Sequence, residues 1–218
     1  MSFIFPFSTC EKCNEKGFIK QPVSAFINFI TVIILLIAIT YAKTLPLQLM
    51  LLSYACFEIW HTFSHIRHIP GTIQTNVVHI LGYAMSFATL YVILTFSKSV
   101  PGLWFLIFLI TAIIIDIYIT LHVKGVYTVF SGLLIFVVIV LGNLTSFPSF
   151  LRTWIPVLII FLSILFALFW NEAQNCKKMM DYKVLPYHAM VEIIGLILFT
   201  QLAWIFLCWE NIIFSINI

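Results

Sequence analysis

The chain has 218 residues, of which 62% are hydrophobic and 9% charged, and its formal net charge is +3. So few polar residues cannot cover a water-facing surface, which excludes a soluble globular domain and makes the lipid bilayer the main solvent. The small positive charge is spread over loops and forms no basic patch, so nucleic acid is excluded as a partner.

The first 22 residues are polar and contain Cys10, Glu11, Lys12, Cys13, Glu15, Lys16 and Lys20. They lack the apolar core of a cleavable signal, so the first span is expected to serve as an uncleaved targeting signal. Cys10-x-x-Cys13 has the spacing of half a zinc site, with Cys176 as a third thiol on the same side. A zinc site needs four ligands, and unliganded thiols are the simpler reading. Cys56 and Cys208 fall in apolar stretches and are expected to be packing residues.

Crossing the hydrocarbon takes roughly 20 mostly apolar residues in a helix. Seven stretches qualify: Val23 to Ala42, Leu45 to Ile66, Val77 to Phe96, Leu103 to Leu121, Val126 to Leu144, Trp154 to Trp170, and Tyr187 to Trp209. The sixth is short unless it extends back toward Phe150. The gaps leave no room for a soluble domain, so the expectation is an all-α polytopic membrane protein. Residues 1–218 would form one transmembrane domain, a seven-transmembrane-helix bundle.

With seven spans, Lys12, Lys16, Lys20, Arg67, Lys124, Lys177, Lys178 and Lys183 share one side, and Lys43, Lys98 and Arg152 the other. That imbalance places the N-terminus in the cytosol. A multi-pass protein of an endomembrane such as ER or Golgi is expected. Asn143-Leu-Thr145 is a glycosylation sequon on the far side, but it lies too close to the membrane to weigh much.

The histidines are unusual in their placement. His61, His65, His68, His79, His122 and His188 all fall at or near the same end of the bundle. Span two closes with Glu58, His61, Ser64, His65 and His68, and the spacing of three and four puts Glu58 and these imidazoles on one helical face. Pro70-Gly71 stops that helix, and Gln74, Asn76 and His79 lead into span three. His122 ends span four, with Asp116 deeper in it. Span seven opens with His188 and Glu192 at i, i+4, the spacing by which one helix presents two ligands to one ion. Ionisable groups inside a bilayer cost several kcal/mol each, so a one-sided collection points to a metal site near one membrane face. Other roles compete. His122 can be an interfacial anchor, His61 can bond a neighbouring helix without metal, and Asp116 can pair with Tyr118 or a histidine.

At these residues the sequence resembles the alkaline ceramidase family, within the wider superfamily of seven-span, zinc-dependent membrane hydrolases. Ser64-His65-Ile-Arg67-His68 resembles the Ser-x-x-x-His element that ends span two of that family. His79 follows at the interval where the family has an Asp. His188-Ala-Met-Val-Glu192 is similar to the His-x-x-x-His element of span seven, with Glu in place of the second His. Cys10-Glu11-x-x-Asn14 is faintly similar to the family's calcium-binding segment, without its leading acidic-Trp pair.

The resemblance implies Zn2+ held by His68, His188 and Glu192, with water in the fourth position, and a weaker Ca2+ site at Glu11 and Asn14. Ser64 would donate to the oxyanion and His79 would shuttle the proton, as catalytic residues. His61, His65, Asp116 and His122 would be supporting or alternative ligands, and either His65 or His68 could be the span-two ligand. The substrate would be a membrane lipid amide, ceramide or a related sphingolipid. The sequence leaves the acyl length and the oligomeric state open. Two rival readings use the same residues. His61-x-x-x-His65-x-x-His68 looks like one box of a di-iron lipid hydroxylase or desaturase, which ordinarily needs more histidines. A non-catalytic lipid-binding or metal-transporting seven-span protein is the other.

Overall fold

The structure is a computed structural model that describes residues 17–67, 71–122, 127–179 and 185–216. The helices are α1 (Pro22–Tyr41), α2 (Leu45–Arg67), α3 (Gly71–Ser97), α4 (Leu103–His122), α5 (Tyr127–Gly142), the short α6 (Ser149–Arg152), α7 (Ile155–Met179) and α8 (Tyr187–Ile216). Proline marks where they begin. Pro22 opens α1, Pro46 and Pro156 stand second in α2 and α7, and Pro186 immediately precedes α8. A proline in the first turn loses no helical hydrogen bond, and its fixed φ suits the helix.

The expected stretches all become helices, but three overrun their expected bounds: α3 begins at Gly71 rather than Val77, α8 runs to Ile216 rather than Trp209, and α7 passes well beyond Trp170. Trp154 to Trp170 is short unless extended back toward Phe150, where the separate short helix α6 lies. Helix α7 continues forward, to Met179, and brings Glu172 into its ordered length. Among the described residues, five helical segments are long and apolar enough to cross a membrane: Pro22–Tyr41, Val77–Ser97, Leu103–His122, Ser149–Glu172 and Tyr187–Ser215. Their outward faces carry large apolar side chains such as Phe26, Ile80, Trp104, Phe108 and Ile160. An outward apolar face of that extent belongs in lipid. The chain is an all-α, multi-pass integral membrane protein.

Hydrogen bonds at the helix ends fix how neighbours pair. Lys20 and Gln21 N–H groups donate to the carbonyls of Ile66 and His65 at 3.1 Å each, joining the start of α1 to the end of α2. At the opposite end, Glu210 near the end of α8 accepts from the backbone N–H groups of Lys43 (2.9 Å) and Thr44 (2.8 Å), at the start of α2. The start of α8, the ends of α2 and α7, and the start of α1 therefore share one end of the bundle. The core between α1, α2, α3, α5 and α8 is built from Leu35, Leu47, Tyr54, Ile93, Ile139 and Phe206. Tyr54 and Thr89 hydroxyls bond within it at 2.6 Å. Gly142 lets α5 meet α4, since a Cβ there would stand 2.5 Å from the Phe105 ring.

Asn143, the sequon residue, is buried, and its Nδ2 donates to the Ile139 carbonyl at 2.8 Å. That geometry offers no acceptor for a glycan. Cys56 is exposed on the outside of α2 and Cys208 is half-buried, so Cys56 is not the packing residue expected.

Candidate metal centre

Helical periodicity first gathers donors within each helix. On α2, Glu58, His61 and His65 lie on one face, and on α8, His188 and Glu192 lie one turn apart. Packing of α2 against α8 then brings the two sets together. His61, His65, His188 and Glu192 are all buried, and one ligand atom of each lies within 4.8 Å of the others. The three Nε2 atoms converge on a single carboxylate oxygen. Glu192 Oε1 is 2.7 Å from His188 Nε2, 3.3 Å from His65 Nε2 and 3.5 Å from His61 Nε2. Imidazole and carboxylate donors about 2.0–2.1 Å from a zinc ion would stand about 3.4 Å apart at the corners of a tetrahedron. The observed spacing fits a single small ion.

The outer nitrogens explain why these rings face inward. His188 Nδ1 lies 2.8 Å and 3.0 Å from the two carboxylate oxygens of Glu172 on α7. His65 Nδ1 lies 2.7 Å from Gln21 Oε1, just ahead of α1. Each acceptor suits a proton on Nδ1, and in a neutral ring so protonated the Nε2 lone pair points at the shared centre. Acceptors on the outer nitrogens of this kind orient ligating histidines and raise their basicity. Lone pairs and a carboxylate crowded together in a medium of low dielectric repel one another unless a cation sits among them. The four side chains can hold a metal ion. Glu58 extends the cluster, with Oε2 3.9 Å from His61 Nδ1.

The centre stands at the head of a cavity of about 360 Å³. That size lies within the range of small-ligand sites, roughly 300–1,000 Å³. Glu58, His61, His79 and Glu192 line its polar end. The rest is mostly apolar, including Leu162, Phe166, Phe169, Leu198 and Leu202. Along α8 the lining runs from Val191 to Leu202, about 16 Å of helix. Gly82 and Gly195 face into it, and a Cβ at either would meet no other atom within 4 Å.

The expected site residues divide as follows. His188 and Glu192 come together as anticipated from their spacing, joined by His65 and His61 from α2. His68, Glu11, Asn14, Cys10 and Cys13 lie outside the described residues. Ser64 is buried, but its hydroxyl donates to the His61 carbonyl at 2.7 Å and it does not line the cavity. His79 lines the cavity and faces Asp116, with Nδ1 3.7 Å from Oδ2. His122 is exposed at the end of α4, its ring 4.8 Å from that of Tyr118 and apart from the cluster. Asp116 does pair with a histidine and a tyrosine, but the tyrosine is Tyr83. Two residues escaped sequence reasoning. Glu172 carries a weak signal, a lone acid just past an apolar stretch, whereas Gln21 carries none.

Comparison of the chain with protein-family profiles, curated protein sequences and solved structures returned no match. The site therefore speaks through its own geometry.

Proposed function

We propose that this chain is a zinc-dependent intramembrane hydrolase that cleaves the amide bond of a membrane lipid, ceramide or a related sphingolipid. One observation carries the reading: a buried three-imidazole, one-carboxylate cluster opens onto a long apolar cavity between membrane helices. The resemblance of the span-two and span-seven motifs to alkaline ceramidases supports it, as does counting α2 and α5 with the five apolar segments as seven spans.

His65, His188 and Glu192 form the ligand set. The first two are wholly buried and their outer nitrogens are held by hydrogen bonds, so neither can turn away. The proposal thus assigns His65 the span-two place first given to His68. His61 and Glu192 face the cavity, where a substrate carbonyl would arrive. The chemistry that a bound zinc ion supplies here is Lewis acidity, lowering the pKa of water toward about 7 and polarising a carbonyl. The apolar walls hold the acyl chain and exclude water, and each buried methylene contributes about 0.8 kcal/mol.

The test is purified protein in lipid nanodiscs, analysed for metal and assayed on N-acyl sphingoid substrates of graded chain length. We expect about one zinc per chain, hydrolysis that a chelator abolishes and zinc restores, and a preference that grows with acyl length. Gly195→Leu, just below Glu192, should keep zinc and lose long-chain substrates by more than tenfold. Fully zinc-loaded protein that hydrolyses no lipid amide would overturn the reading. Iron with an oxygen-dependent product would replace it with a hydroxylase.

A further inference from the structure

A second ionisable cluster, built from α3 and α4, borders the same cavity as the metal centre. Asp116 is 1% exposed within the apolar helix α4. Tyr83 donates a short hydrogen bond to its Oδ2. His79, one turn before Tyr83 on the same face of α3, places Nδ1 3.7 Å from that same oxygen. The other oxygen, Oδ1, is buried with no hydrogen-bond partner among the described residues. A carboxylate kept in lipid with one phenol as its donor lacks a counter-charge, and burial of this kind is rarely retained without a task. The side chain able to supply that charge is His79, which lines the polar end of the cavity together with His61, Glu58 and Glu192.

Resting on the hydrolase reading, we infer that His79, Asp116 and Tyr83 form its proton relay, with His79 as the catalytic acid–base and Asp116 and Tyr83 as positioning residues. Asp116 holds the proton of His79 on Nδ1 and turns Nε2 toward the cavity. Water adds its oxygen to the amide carbon and gives one proton to Nε2. Asp116 stabilises the imidazolium so formed, as the orienting carboxylate does in other acid–base pairs. The carbon–nitrogen bond then breaks, the nitrogen keeps the electron pair, and it takes the proton back from Nε2. The products are a carboxylic acid and an amine, and His79 ends as it began. Tyr83 fixes the carboxylate so that it cannot rotate out of line with the ring.

The experiment compares Asp116→Asn, His79→Gln and Tyr83→Phe with the wild-type chain in nanodiscs. Metal content, thermal stability, KM and kcat are measured on a lipid amide and on the matching ester with a nitrophenol leaving group. The titratable groups facing His79 are Asp116 and Tyr83, with His61, Glu58 and Glu192 lining the same cavity, and none of these changes in His79→Gln. We expect all three variants to keep wild-type zinc and a KM within about twofold. On the amide, kcat should fall about 100-fold or more for His79→Gln and Asp116→Asn, the range of acid–base catalysis, and about fivefold for Tyr83→Phe. On the ester, whose leaving group needs no proton, the losses for His79→Gln and Asp116→Asn should be at least tenfold smaller, and Tyr83→Phe should lose less than twofold. Equal losses on both substrates, or none on either, would overturn the relay. Loss of zinc in Asp116→Asn would overturn it too, in favour of a structural role. A zinc-loaded wild type that cleaves neither substrate would instead defeat the hydrolase reading, and the relay with it.

Discussion

The two ends of α8 hold the same residue in opposite circumstances. Glu192 and Glu210 are five helical turns apart, about 27 Å on one face of the helix, and both are buried. Glu210 meets donors only: two backbone N–H groups and the Thr44 hydroxyl, at 2.9, 2.8 and 2.5 Å. Its charge is spread over hydrogen bonds that also cap the start of α2, where N–H groups lack helical partners. Glu192 meets three imidazole nitrogens, two of which are turned lone pair first by Gln21 and Glu172. One end is a lock and the other is a site. The difference lies in the partners and owes nothing to residue type, helix or depth of burial.

The widest separation between the ends should come from removing one partner at each. His188→Ala should cut bound zinc from about one per chain to below a tenth. Glu210→Ala should keep zinc while lowering stability by about 1–3 kcal/mol, because it leaves the part-buried N–H groups of Lys43 and Thr44 without their acceptor. Metal analysis and detergent unfolding read the two effects, and zinc loss in Glu210→Ala would break the contrast.

Glu172→Gln sharpens it, since the amide still accepts from His188 Nδ1 but no longer lends a full charge. Zinc affinity should weaken about 10- to 100-fold by chelator competition, in the range for outer-shell partners. Gln21→Ala should cost less, about tenfold. Acidification offers a milder probe. Ligation needs deprotonated imidazoles, so falling pH should weaken zinc binding, as chelator competition would read. Zinc binding that keeps its strength on acidification would count against imidazole ligation.

Much of the architecture was readable in advance, and so was part of the site. Apolar length marked the helices. The i, i+4 step joined His188 to Glu192 and His61 to His65, because the helical period acts within one segment and needs no neighbour. The forward run of α7 through Glu172 was not readable, since a polar stretch past Trp170 looks like a loop until packing against α8 holds it in a helix. Gln21 was invisible for a similar reason. Its side chain matters only because the start of α1 docks on the end of α2.

The sequence by itself determined that this chain lives in lipid, that it is helical, and which residues share a helical face. Composition and the 3.6-residue period are local properties, and they act before any helix meets another. Only the tertiary structure decided which histidines of α2 turn toward Glu192, that His79 faces Asp116, and that Glu210 is spent on a cap. Those outcomes depend on how each helix is rotated about its axis and set against its neighbours. Side-chain packing over the whole bundle fixes that rotation, and no single stretch of sequence contains it.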